Sequence, residues 1–304
     1  MLAKTMHTTD YLLIDGTNLA FRCFYGVKQL SSDDVPINAI YGFVNALWAL
    51  EKLVKFKDWW VFFDCSRSAR RTQIFPLYKA NRAETPALFK PQLPYIKQIV
   101  SCLGGHCVEK MGVEADDLLG ALAKKIVSCQ SNAIIVSADK DLMQCVNVNV
   151  SQLIPAQQSW QLLDVKGVHA KLGLWPNQVV EYLALMGDTV DNFEGLHGVG
   201  PKTAARWLQT YQSIEGIWAH REVIQPVRFR TILEQNQALI SRNLQLAQLD
   251  CSEELVAEYD LSSRVMTDFD ALADIFQSLH LNSLIKRMQG RQTSVEAQGE
   301  FSFD

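Results

Sequence analysis

Residues 11–22 read YLLIDGTNLAFR, an apolar run from Tyr11 to Ile14 that is closed by Asp15 and followed at once by a helical pattern. An apolar run short enough for a strand, leading directly into a helix, opens a βαβ unit. The pattern recurs. Trp59 to Phe63 (WWVFF), His106 to Glu109 and Ala133 to Ser137 (AIIVS) are further strand-like runs. They alternate with helical patterns at Leu19 to Val27, Ile37 to Val54, Pro91 to Leu103 and Ala115 to Ser128. Strand and helix in turn predict an α/β fold, a mainly parallel sheet flanked by helices. Ligands of such sheets sit beyond the carboxyl ends of the strands, where Asp15, Asp64 and Asp139 fall.

After Leu174 the spacing becomes helical throughout, at Pro176 to Met186, Lys202 to Tyr211, Arg228 to Leu246 and Phe269 to Leu279. A catalytic α/β domain over residues 1–173 and a smaller all-helical domain over 174–289 are therefore expected. From Gly290 the stretch GRQTSVEAQGEFSFD loses its periodicity and reads as a flexible tail or linker, residues 290–304.

With 304 residues and 48% hydrophobic content the chain can bury a sizeable core. The N-terminal MLAKTMHTTD lacks the apolar stretch of a secretory signal, and Asn45, Glu51 and Lys52 interrupt the most apolar helix, so no membrane span is expected. Seven cysteines without a CxxC pair suit a reducing, cytoplasmic compartment.

Five acidic clusters punctuate the chain: Asp15, Asp64, Glu114/Asp116/Asp117, Asp139/Asp141 and Asp188/Asp191. Asp15 and Asp64 each follow a strand, and Asp15 is also a good helix N-cap. Three acids in VEADDLLG exceed what capping a helix requires, and Glu114 and Asp117 share a helix face. So many carboxylates brought to one sheet edge would repel one another unless a cation joined them. Oxygen-only ligands select Mg²⁺, with Mn²⁺ able to substitute, in a two-metal phosphodiesterase arrangement. Setting these nine acids aside leaves 24 of 33 against 29 Lys and Arg, so the remaining surface carries about +5. Six bases (Arg67, Arg70, Arg71, Lys79, Arg82, Lys90) against the single acid Glu84 form a phosphate track beside the acids.

GLHGVGPKTAARWL, residues 195–208, follows the last acidic pair. Gly198 and Gly200 flank a tight turn and Pro201 suits the first helical position, with Lys202 next. Such a turn offers backbone N–H groups and a helix N-terminus to a phosphate without reading bases.

Together LLIDGTNLAFR, VFFDCSRSARR, YKANR (Tyr78 to Arg82), VEADDLLG, SADKDLMQ and GDTVDN followed by GVGPKTA resemble the 5′-nuclease family. That family includes the N-terminal domain of bacterial DNA polymerase I, phage 5′-exonucleases and flap endonucleases. The resemblance covers about residues 10 to 285. It implies a PIN/5′-nuclease-like sheet domain with an arch over the site, about residues 66–104, and a helix–hairpin–helix-type domain that grips duplex DNA. It also implies 5′→3′ exonuclease and 5′-flap cleavage in DNA replication, as in RNA primer removal, and in repair.

Carried over by motif, all nine carboxylates match metal-site positions. Asp15, Asp64, Glu114 and Asp116 would serve one ion and Asp139, Asp141, Asp188 and Asp191 the other, with Asp116 between them. Lys79 and Arg82 match catalytic phosphate contacts, and Arg22, Arg70, Arg71, Tyr78, Gly198, Gly200, Lys202 and Thr203 further DNA contacts. A K⁺ ion at about residues 195–200 is implied as well. The chain departs from the family after Asp191-Asn192, where Phe193-Glu194-Gly195 replaces an apolar residue, proline and glycine. Losing that proline questions the stiffness of the link to the hairpin. Both a free-standing enzyme and the front of a longer polymerase accommodate the resemblance.

Overall fold

The computed structural model describes residues 6–32, 35–156 and 159–297. Its centre is a six-stranded sheet of β1 (Tyr11–Asp15), β2 (Asp58–Phe62), β3 (His106–Val108), β4 (Ala133–Val136), β5 (Val150–Ala156) and β6 (Ser159–Leu163). The strand order is β6-β5-β4-β1-β2-β3. All neighbours are parallel except the β5/β6 pair. Leu13 stands level with Trp60 on one side and Ile135 on the other, and the three belong to one apolar layer. Leu12, Ile14, Val61, Ile134 and Val136 belong to the opposite layer. Burial on both faces is why these strands read as unbroken apolar runs.

Helix α5 (Ala115–Ser128) covers the first layer through Leu118, Leu119, Leu122 and Ile126. The second is covered by α1 (Gly16–Gly26), α2 (Asn38–Glu51) and α4 (Gln92–Cys102). Between α2 and α4 lies the six-residue α3 (Ala69–Ile74). The chain then passes α6 (Val165–Leu172) and a 3-10 turn, Pro176–Gln178, into α7 (Val179–Met186), α8 (Pro201–Tyr211), α9 (Ile214–Ala219), α10 (Arg228–Gln235) and α11 (Gln237–Ala247). Leu183, Leu185, Trp207, Leu208, Phe229 and Leu246 share a second core.

Four differences from the sequence reading are instructive. The β5/β6 hairpin shows no strand signal in the sequence, because β6 is an edge strand with alternating polar residues and Pro155 interrupts β5 just past the end of its pairing with β4. The single helix expected over Arg228 to Leu246 breaks at Asn236, whose side chain donates to the Ile232 carbonyl, 2.7 Å away. Residues 174–289 do not all pack together: α12 (Phe269–Ser278) and α13 (Asn282–Ala297) return to the sheet, burying Leu272, Phe276, Leu284 and Met288 in its core. Finally, α13 runs past Gly290 to Ala297, into the stretch that the sequence reads as a flexible tail or linker. Arg291 secures it by pairing with Glu51 and lying over the Trp48 ring. Residues 298–304 lie outside the described residues. No helix among the described residues is long and apolar enough to cross a membrane.

Candidate functional site

The carboxyl ends of β1, β2 and β4 are tied together by the acids themselves. Asp15 accepts from Asn18 N–H at 2.9 Å, capping α1, and from Ser137 Oγ at 2.8 Å. Ser137 Oγ in turn accepts from Asp139 N–H at 3.0 Å, and Asp139 Oδ1 from Asp141 N–H at 2.9 Å. Gln152, wholly buried on β5, clamps this loop by donating to the carbonyls of Ser137 (2.9 Å) and Asp139 (2.6 Å). On the other side Asp64 caps α5, accepting from Ala115 N–H at 2.9 Å, which places Asp116 beside β1 and β4.

The carboxylates so gathered separate into two groups. Burial, with the Asp64 and Asp139 charges adding, pushes Asp15 up to about 7 against its hydrogen bonds from Asn18 and Ser137. Asp116 is pushed well above the carboxylate range by burial and by Asp139, Asp15 and Asp64, with Lys79 opposing. Burial raises Asp139, and burial with Asp139, Asp191 and Asp188 raises Asp141 strongly. Asp141 Oδ1 is buried without a hydrogen-bond partner. Burial and neighbouring acids outweigh the bases within reach, so the ionised forms of these groups are disfavoured.

The second group is paired. Glu114 accepts from Lys79 Nζ at 2.6 Å, Arg71 Nη1 at 2.7 Å and Tyr78 Oη at 3.2 Å. Asp191 accepts from Tyr78 Oη at 2.7 Å and Arg82 Nη2 at 2.8 Å. Against burial, Lys79, Tyr78 and Arg82 hold Asp191 below the usual carboxylate range. Asp188 Oδ2 pairs with Lys140 Nζ at 2.8 Å. Asp117 turns away from the other acids: Arg71 binds both its oxygens at 2.6 and 2.8 Å, and Asp250 N–H donates to it at 2.9 Å. Both its oxygens are engaged by a buried guanidinium.

The basic segment also differs from its sequence reading. Arg71 is 2% exposed and cannot lie on a DNA-contacting surface. It donates to Leu246 O at 2.8 Å as well as to Glu114 and Asp117. Arg70 donates to Gln245 O (3.0 Å) and Gln248 O (2.6 Å). Both arginines thus satisfy the open carbonyls at the C-terminal end of α11, where cations are favoured. Tyr78 is likewise buried, with Lys79 Nζ 5.0 Å from its ring centre.

The expected arch contains α3, a series of turns and α4, and its middle folds inward so that Lys79 reaches Glu114. Lys79 takes a left-handed φ of 54° and donates its N–H to Asp191 O at 2.9 Å. Side-chain contacts to two acids hold this uncommon backbone in place. Thr17, Phe21, Asp64, Arg67, Lys79 and Arg82, with Glu114, line a cavity of about 450 Å³. Arg22 is exposed but borders a different groove, with Tyr41 and Trp160.

Hard oxygen donors, an orphaned buried carboxylate oxygen and mutually raised acids fit a divalent cation chemically. Among the described residues no three His, Cys, Asp or Glu side chains already converge as ligands of one ion. Side-chain rotation, and release of Asp188 by Lys140, would accompany binding. Lys140, Ser137 and Gln152 were not singled out in the sequence. Lys140 stood inside SADKD, but only the fold brings it to Asp188.

The hairpin joins this site to the helices. Gly187-Asp188 pairs antiparallel with Phe193-Glu194. The strands cross so closely that a Cβ on Gly187 would stand 2.2 Å from Gly195 N, and one on Gly195 2.1 Å from Met186 C. Asn243, fully buried, donates to Ala184 O at 3.0 Å and Glu194 O at 2.8 Å. These contacts stiffen the link that lacks proline, while the Glu194 side chain is exposed. Beyond it Gly198 turns with φ 74°, Gly200 caps α8 and Lys202 projects into solvent. Thr203 is half-buried and donates its N–H to Gly200 O at 3.0 Å.

The chain matches two family models in tandem: 5′-3′ exonuclease, N-terminal resolvase-like domain, over residues 10–173, and 5′-3′ exonuclease, C-terminal SAM fold, over residues 174–289. A 5′-3′ exonuclease of Aquifex aeolicus is 35% identical over 280 residues, covering 91% of this chain and 94% of that protein. The thermostable DNA polymerase I of Thermus thermophilus is 34% identical over 275 residues, 90% of this chain but 32% of the polymerase, so the chain spans about a third of that relative. A bacteriophage T5 flap endonuclease solved with DNA and metal ions shares the fold, with a TM-score of 0.65 at 21% identity, covering 92% of this chain and 98% of that one. A family description that accounts for residues 10–289, and a relative of nearly equal length that carries the same name, place this chain in the 5′-3′ exonuclease family of nucleases.

Proposed function

We propose that the chain is a structure-specific 5′ nuclease, a 5′→3′ exonuclease and 5′-flap endonuclease that hydrolyses DNA phosphodiester bonds during replication, including RNA primer removal, and repair. The observation that carries this reading is the set Asp15, Asp116, Asp139 and Asp141, gathered at one sheet edge and pushed upward, with buried Lys79 acting on Asp116 and Asp139. Asp15, Asp64, Asp116, Asp139 and Asp141, with Asp188 and Asp191 directly or through water, would hold Mg²⁺ or Mn²⁺. Glu114 holds Lys79 at the edge of that set. Divalent cations supply activation of water and stabilisation of a leaving oxygen.

Around them the protein's own groups act by position. Lys79, fixed by Glu114, presents its ammonium to the non-bridging oxygens of the scissile phosphate, where charge grows in the transition state. Arg82, half exposed, and the exposed Arg67 receive the neighbouring phosphates of the single strand. The glycine turn before α8, with Lys202, holds duplex phosphates at a fixed distance from the acids, so the cut falls near the junction. Hydrolysis would leave a 5′-phosphate on the duplex. The K⁺ ion implied for residues 195–200 takes no part in these steps.

The test is polarity. A labelled 5′-flap duplex with Mg²⁺ is expected to be cut near the junction, while a matching 3′-flap stays largely intact. Equal cleavage of both, or cuts scattered through single-stranded DNA, would reduce the activity to that of a general nuclease. The relation to polymerase relatives suggests a polymerase domain, in the same or another chain, as the working partner.

A further inference from the structure

Cys145 and Cys251 lie 106 positions apart in the chain and meet behind the acidic edge. Cys145 ends the 3-10 turn Asp141–Cys145 that follows the acidic loop, and Cys251 lies in the segment leaving α11. Their side chains lie side by side, lining one cavity. Both sulfurs rest over Gly120 of α5, where a Cβ would stand 2.8 Å from Cys251 Sγ and 3.4 Å from Cys145 Sγ. Glycine is unfavourable inside a helix, and here its missing side chain makes the room that the sulfurs occupy. The pair borders a cavity of about 220 Å³, also lined by Lys124, Gln144 and Gln248, large enough to admit a small oxidant.

We propose that Cys145 and Cys251 are a redox modification site, a dithiol that a peroxide converts into a reversible disulfide. Lys124 Nζ donates to Cys251 O at 3.3 Å, which sets an ammonium beside that thiol; Cys145 and this ammonium hold it below its ordinary value against burial. Cys251 is the attacking thiolate and Cys145 the resolving thiol. Cys251 Sγ forms a bond to one peroxide oxygen as the O–O bond breaks, and the departing hydroxide takes up a proton to leave as water. Cys145 Sγ then attacks the resulting sulfenic sulfur, the S–S bond forms, and a second water carries away the hydroxyl and the Cys145 proton. Two thiols lose two electrons and one peroxide gains them.

The new bond would fasten two segments that already touch. Gln144 donates to Ala247 O at 3.1 Å and accepts from Leu249 N–H at 3.1 Å, and Asp250 N–H reaches Asp117. The crosslink thus ties the turn behind Asp139/Asp141 to the segment that supports the Arg71 cluster.

The experiment treats the fully reduced chain with hydrogen peroxide, alkylates the remaining thiols with iodoacetamide and maps the digest by mass spectrometry. A linked pair of peptides containing Cys145 and Cys251 is expected, reversed by dithiothreitol. The exposed Cys65 and Cys129 serve as alkylation markers. Cys145→Ser and Cys251→Ser should each abolish the linked pair, although the wild-type map decides without them. Full alkylation of both cysteines after peroxide, sulfinic acid at Cys251 without linkage, or linkage of Cys251 to Cys65 or Cys129 in place of Cys145, would overturn the proposal.

Discussion

The two edges of one sheet treat the same residue type in opposite ways. At the amino ends of the strands Asp58 is 3% exposed, yet it accepts from Trp59 N–H at 2.9 Å and lies 3.1 Å from His106 Nε2 and 3.3 Å from Arg264 Nη1. Asp10 pairs with Lys57 at 2.8 Å and accepts from Asn132 N–H at 3.0 Å. The hydrogen bond from Lys57 holds Asp10 below its ordinary value. At the carboxyl ends buried Asp15 and half-buried Asp116, Asp139 and Asp141 gather and are pushed upward. Compensated acids at one edge support the fold, while uncompensated acids at the other store repulsion that a cation can relieve.

Exchanging a charge for an amide at each edge should separate these roles. Asp139→Asn is expected to abolish Mg²⁺-dependent flap cleavage, leave flap binding intact or tighter, and raise the metal-free melting temperature. Single-turnover kinetics, a binding isotherm and a thermal melt would check this. Retained turnover would show that the acidic edge is structural like its counterpart.

Lys79→Ala is expected to lower turnover by roughly 10²-fold, the scale of one transition-state donor, with a smaller effect on substrate affinity. A loss confined to affinity would return Lys79 to the phosphate track. Asp58→Asn should do the reverse of both, costing about 2 kcal/mol of stability by leaving its partners poorly satisfied, while the folded fraction cuts at the wild-type rate. Urea denaturation alongside an activity assay measures the two effects together.

The subtlest contrast lies in pH. For Asp15, raised from 3.8 to about 7, the folded state binds more protons than the unfolded state between those values. Stability of the metal-free protein should therefore be greatest at the acid side of that window and fall as pH rises toward 7. Asp191, held low, works with the opposite sign and loses its contribution as pH falls toward acid. Added Mg²⁺ should raise the melting temperature more at pH 8 than at pH 5. An equal rise at both would mean that the raised acids do not meet the ion.

Local signals carried much of this molecule. The central strands show apolar runs because both sheet faces are covered, and Asp15 and Asp64 are visible as acids closing such runs. The β5/β6 hairpin carries no such signal, since edge strand β6 needs no continuous apolarity and Pro155 falls where β5 has passed the end of β4. Helix α13 escaped notice because its packing partners, Asn45, Trp48 and Glu51, are more than two hundred positions away.

The sequence by itself determined which groups were present: carboxylates at strand ends, bases between them and a glycine turn before a helix. Tertiary structure alone decided the use of each charge. Arg70, Arg71 and Asp117 looked like ligands or contacts, but α11 ends with open carbonyls beside α3, and those carbonyls with Glu114 claim the arginines. Lys140, between the two acids of SADKD, became the partner of Asp188. Charge type is written residue by residue, whereas compensation depends on which distant group arrives within a few ångströms, because electrostatic pairing acts through space and not along the chain.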